Sequence, residues 1–116
     1  MLNQNLTSIL VELNNSSNAI KASAIASAEG LTMSAQLPDG ADQGLAGALS
    51  AALLSMGHRG AEQFALGQME QIVIKGEHGQ LLITRAGTDA VLAVQSAAGA
   101  DLPYLKPTLA SISAHI

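Results

Sequence analysis

Hydrophobic positions change their period several times along this chain, and each change marks an element. Leu2, Leu6, Ile9, Leu10 and Leu13 recur at helical spacing, which predicts an amphipathic helix over residues 2–14. Asn14-Asn-Ser-Ser17 then ends it. Residues 19–28 and 31–37 read as two strands joined at Glu29-Gly30, where glycine supplies the positive φ of a short hairpin. Pro38-Asp-Gly40 is a loop, and Asp42 is placed to cap a long helix over residues 42–65. Met69–Lys75 is a β run centred on Ile72, Val73 and Ile74. Gly76-Glu-His-Gly79 is a turn, Leu81–Arg85 the next strand, Ala86-Gly-Thr88 another turn, and Asp89–Gln95 the last strand. After Gly99-Ala-Asp101 a final helix carries Leu102, Leu105, Leu109, Ile112 and Ile116 on one side. Pro103 suits a first helical turn and Pro107 less so, which moves the helix start towards residues 103–106.

The order is αββαβββα. Three consecutive apolar residues at Ile72–Ile74 and again at Leu81–Ile83 predict a sheet covered on both faces, since a strand with one wet face alternates. Ala22, Ala24, Ala26 and Ala28 offer one face of the first strand to a close-lying helix. The fold class expected is therefore an α/β (α+β) three-layer sandwich around a five-stranded antiparallel sheet. With 116 residues the chain is read as one domain, 1–116, able to bury roughly two-thirds of its unfolded surface.

Composition sharpens this picture. Hydrophobic residues are 48% of the chain, enough for a core, yet only Phe64 and Tyr104 are aromatic. The core must be aliphatic and rich in alanine, which buries little area per residue, so a partner surface would add needed burial. The long helix is apolar on more sides than one sheet covers. Leu45, Leu49, Leu53, Met56 and Phe64 form one row, whereas Gly44, Gly47, Ala51 and Leu54 lie elsewhere around it.

Charge and chemistry mostly exclude. The net charge is −4, and Lys21, Arg59, Lys75, Arg85 and Lys106 are scattered. No cationic cluster matches a phosphate backbone or an anionic membrane surface, and no aromatic platform could stack bases. The uncharged run Gln43–Gly57 is too short to span a bilayer, and the first residues have no signal-peptide pattern. The absence of cysteine removes disulfides and thiolate zinc sites and fits the cytoplasm. No lysine is followed by Ser or Thr as in a phosphate-binding loop. Gly40, Gly44 and Gly47 lack dinucleotide spacing and suit a turn and close helix packing. There is no Gly-x-Ser-x-Gly elbow. His58, His78 and His115 fall on a helix end, a turn and the terminus, the places of solvated side chains. No catalytic, cofactor or metal residues are assigned, and the chain is expected not to be an enzyme.

Five segments in this order resemble a known family. They are Ala24-Ile-Ala-Ser-Ala-Glu-Gly-Leu-Thr-Met-Ser-Ala35, Leu45-Ala-Gly-Ala-Leu-Ser-Ala-Ala-Leu-Leu54, Gln71-Ile-Val-Ile-Lys-Gly76, Leu81-Leu-Ile-Thr-Arg-Ala-Gly87 and Ala90-Val-Leu-Ala-Val94. Together with the closing helix they resemble the Roadblock domain of dynein light chains and of bacterial regulators of Ras-like GTPases, over residues 2–112. One departure is the first strand, where Ala and Ser stand in place of larger β-branched residues.

The resemblance implies a profilin-like sandwich that dimerises through its third strands and central helices. It also implies strand order two-one-five-four-three, which leaves the third strand at an edge. An apolar edge invites pairing, so the residues themselves favour the same seam. The candidate homodimer interface is Leu49, Leu53, Met56, Met69, Ile72, Val73 and Ile74. The partner implied is a small Ras-like GTPase, whose activity or localisation the dimer would modulate. Gln43, Ser50, His58, Arg59 and Glu62 are the polar helix residues able to discriminate it. The alternative is a structural scaffold subunit with no effect on a GTPase. A small-ligand sensor is disfavoured by the shortage of convergent polar and aromatic groups.

Overall fold

The computed structural model describes residues 2–101 and 105–115, with side chains from residue 5 onward other than that of residue 106. Its elements run α1 (Leu2–Asn15), β1 (Ile20–Ser27), β2 (Thr32–Gln36), α2 (Gln43–Gln63), β3 (Gln71–Gly76), β4 (Gly79–Ala86), β5 (Ala90–Ser96) and α3 (Leu105–Ala114). This is the expected order, with boundaries shifted by a residue or two. Leu102, Pro103, Tyr104 and Ile116 lie outside the described residues.

The five strands form one antiparallel sheet in the order β2-β1-β5-β4-β3. Central β5 is buried from Ala90 to Val94 whichever face a residue takes, because helices cover both sides there. On one side, α1 and α3 cover Ile25, Leu82, Leu92 and Val94 with Leu6, Leu10, Leu13, Leu105 and Ile112. On the other, α2 lays Leu54 against Ile83, Val91 and Ala93, with Leu53 packed beside them.

Side-chain hydrogen bonds fix the element ends. The Ser16 hydroxyl donates to the Leu13 carbonyl at 2.7 Å and closes α1. Asn14 ties α1 to two strands, accepting from the Ser23 hydroxyl at 2.6 Å and donating to the Gln36 carbonyl at 3.3 Å. Asp42 caps α2 as expected: its side chain accepts from the Leu45 N–H at 3.0 Å. At the other end of α2, the Leu66 N–H reaches the Ala61 carbonyl and the Ala65 N–H the Glu62 carbonyl. That pair of bonds is a Schellman ending, and it puts Ala65 at φ 56 where glycine is usual.

Small residues set how closely α2 approaches the sheet. Ala22, Ala24 and Ala26 of β1 are buried beneath it. Gly30, at φ +94 in the β1–β2 turn, lies so near that an added Cβ would be 3.3 Å from Ala48 Cα. Ala28 differs from expectation: it is exposed and past the end of β1, where its N–H bonds the Asp89 carbonyl instead. A second difference is at β3. Its apolar triplet is not sandwiched as that of β4 is: α2 reaches Ile72, but Val73 and Ile74 stay open to solvent. Val73 remains 42% exposed and Ile74 44%.

Candidate interaction surface

Two exposed apolar features lie side by side. The first is β3, which has β4 on one edge and, among the described residues, no strand on the other. Register places Ile72 opposite Ile83 and Ile74 opposite Leu81, on the α2 side of the sheet, and Val73 opposite Leu82 on the reverse. Ile72 is half-buried because Gly57 of α2 leaves space for it: a Cβ there would come within 2.7 Å of Ile72 Cδ1 and 3.2 Å of Met69 Sδ. Helix and edge strand are thus joined at this corner, where Leu53, Met69, Ile72 and Leu81 all pack.

The second feature is the outward face of α2. Residues 47, 50, 51, 54 and 61 are its buried face. Leu45, Leu49 and Met56 fall on the opposite side and are more than half exposed. An open cavity of about 140 Å³ at the flank of α2 is lined by Leu49 and Ala46 of the helix and by Ala24, Leu81 and Ala93 of the sheet, among others. So α2 does not fill the sheet face on that side. Contiguous exposed apolar patches are the kind of surface that marks interaction sites.

The polar candidates divide. Gln43, Arg59 and Glu62 are exposed on α2. His58 is half-buried, and its Nε2 lies 2.6 Å from the Arg85 guanidinium of β4, which donates to the ring. Ser50 does not belong with the others: it is buried against the sheet, and its hydroxyl donates to the Ala46 carbonyl at 2.7 Å. Its helical position, three residues after Gly47, puts it on the inward face. Among the expected seam residues, Leu49, Met56, Val73 and Ile74 are exposed, whereas Leu53, Met69 and Ile72 are half-buried in the same corner.

Two residues of this surface escape a reading of the sequence. Arg85 was one of five scattered cations, yet strand parity with Ile83 puts it on the α2 side, under His58. Leu66 is 73% exposed just beyond the helix, beside Phe64 at 77%. The pair Leu66-Gly67 at a helix end is the only hint the sequence holds of such a knob. Among the described residues no group of three His, Asp or Glu side chains could hold a metal ion, and no helix is long and apolar enough to cross a membrane.

Comparison with known proteins places this surface in context. The model of the Roadblock/LC7 domain matches residues 6–96. Two uncharacterized proteins of Methanocaldococcus jannaschii are each 35% identical over 101 residues, 87% of this chain and of theirs. A Roadblock/LC7 domain from Streptomyces avermitilis superposes with a TM-score of 0.81 at 23% identity, covering 93% of this chain and 91% of that one. The gliding protein MglB of Thermus thermophilus gives 0.81 at 16% identity, covering 98% and 90%. MglB in a tetrameric arrangement gives 0.85 at 16%, covering 98% and 89%. With its matched span and its sheet order β2-β1-β5-β4-β3, this chain belongs to the Roadblock/LC7 domain family.

Proposed function

We propose that this chain is a non-enzymatic regulatory subunit that pairs with a second copy of itself and presents the joined surface to a small Ras-like GTPase in the cytoplasm. The observation that carries the reading is the adjacency of the open β3 edge to the outward row Leu45, Leu49 and Met56 on α2. Strand pairing satisfies the edge backbone groups, and helix contact removes the leucines from water. Family membership supports the same assembly, as does the tetrameric arrangement named for a structural neighbour. Arg59, Glu62 and Gln43 lie exposed on the same helix and supply charge and hydrogen bonds for a partner.

Two measurements test this. Light scattering at low micromolar concentration should return twice the 11.8 kDa chain mass. A monomer would remove the basis of the proposal. Titration against Ras-like GTPases of the same cell, loaded with GTP or GDP, should show binding that depends on the nucleotide. A dimer that binds none of them in either state would instead be a scaffold subunit.

A further inference from the structure

Given two copies joined along the open β3 edge, we infer the register of that pairing: antiparallel, with Val73 facing Val73 of the partner subunit on the twofold axis. This rests on the reading that the chain pairs with itself, and it adds which atoms meet.

The backbone narrows the choice first. Gly76 pairs with Gly79 across the two-residue turn Glu77-His78. The pair flanking such a turn exchanges hydrogen bonds, and bonded pairs then alternate along an antiparallel ladder. So Ile72, Ile74 and Gly76 bond inward to β4, and Gln71, Val73 and Lys75 turn their N–H and C=O groups to the open edge. Twofold symmetry adds that a residue and its opposite share one face of the sheet. Only registers centred on a single residue obey both conditions.

Side chains then decide among those centres. Centring on Lys75 sets two ammonium groups against each other. Centring on Ile74 puts Lys75 against Val73 of the partner subunit, twice, and Gln71 against Glu77 of the partner subunit. Centring on Ile72 puts Glu70 against Ile74 of the partner subunit, and centring on Gln71 puts Glu70 against Ile72 of the partner subunit while Ile74 goes unpaired. Directly opposed charges of like sign are unfavourable, and so is a charge set on a dry contact. Centring on Val73 avoids all of this and uses the whole strand. Ile72 meets Ile74 of the partner subunit on the α2 side, so four isoleucines form one patch continuous with Leu53 and Leu81. On the reverse face Val73 meets Val73 of the partner subunit, and the exposed Gln71 amide oxygen is placed to accept from the exposed Lys75 ammonium of the partner subunit at both ends.

The chain has no cysteine, so single-cysteine variants report on the register without background. In the inferred pairing the two residues at position 73 have Cα atoms about 5.5 Å apart, inside the disulfide range of about 4.4–6.8 Å. Positions 72 and 74 sit out of step with their own copies by two residues, about 6.8 Å along the strand, and fall beyond reach.

The experiment is to oxidise Gln71→Cys, Ile72→Cys, Val73→Cys, Ile74→Cys and Lys75→Cys separately in the full chain, with sizing and circular dichroism on each. Val73→Cys should form the covalent dimer fastest and most completely. Fastest linkage at 72 or 74 in a folded dimer would overturn the register. A folded dimer that links at none of the five would show that β3 is not the seam. Monomeric wild-type protein would instead refute the self-pairing reading beneath it. Gln71→Glu supplies a second readout that leaves the apolar contacts alone. It should tighten the dimer at low salt by facing Lys75 of the partner subunit, and salt should remove the gain. Weakening at low salt is the result expected if Glu77 of the partner subunit stood there.

Discussion

Gly47 of α2 and Thr32 of β2 leave no room between them for a methyl group. A Cβ built on Gly47 overlaps the Thr32 hydroxyl, which is itself fixed by donating to the Gln43 carbonyl at 2.6 Å. Gly60, on the same helix of 21 residues but nearer its C-terminal end, has nothing within 4 Å of the same built atom. The two glycines should therefore respond to alanine with opposite sign. Gly47→Ala should cost about 1–3 kcal/mol through overpacking. Gly60→Ala should stabilise by about 0.5–1 kcal/mol through helix propensity. Urea unfolding of both variants checks this, and equal effects would show that close packing of α2 on the hairpin is not what Gly47 serves.

Ala65 adopts the left-handed conformation that closes α2. A side chain there carries a penalty of about 1–2 kcal/mol, which glycine removes at the cost of a more flexible unfolded chain. Ala65→Gly should raise stability by up to about 1 kcal/mol, read as a higher urea midpoint at unchanged slope. A loss of stability would mean the ending is not held by those two backbone bonds.

Asp42 accepts one hydrogen bond from the first turn of α2. Asp42→Ala should lose about 0.5–2 kcal/mol, whereas Asp42→Asn should lose little. Equal losses in both variants would point to charge rather than to the bond.

Leu49 is exposed on the outward row of α2, so a charge there should spare the fold. Leu49→Asp should keep the circular dichroism spectrum and weaken self-association by about 1–3 kcal/mol, since a desolvated carboxylate has no partner in that row. Sedimentation equilibrium reads the difference. An unchanged association constant would take the helix face out of the seam.

Arg59 lies on α2 beyond Met56 and is exposed. Arg59→Glu should leave folding and pairing intact and weaken binding to a cognate Ras-like GTPase by at least about 1 kcal/mol, as arginine is enriched where interface energy concentrates. Calorimetry of both proteins against the GTPase decides the matter. Equal affinities would move the partner contact elsewhere.

Local signals in the sequence determined the elements of this protein. Leu6, Leu10 and Leu13 repeat at the helical period, Asp42 stands before a long apolar run, and Gly30 sits where a hairpin needs positive φ, so each element is legible from its neighbours in the chain. The order of the elements, with its family resemblance, carried the strand order as well. Which face each helical residue takes was settled only by the tertiary structure. Ser50, read as a residue able to meet a partner, turns inward because Gly47, Ala51 and Leu54 fix that side of α2 against the sheet. Ile72, Val73 and Ile74 look like a doubly covered strand, yet coverage depends on what packs from afar, and at β3 α2 meets Ile72 while Val73 and Ile74 remain exposed. Arg85 and His58, 27 residues apart, meet only because α2 crosses β4. Periodicity and turn chemistry act over a few residues and can be read there; exposure and side-chain partners are set by elements distant in sequence, and need the folded arrangement.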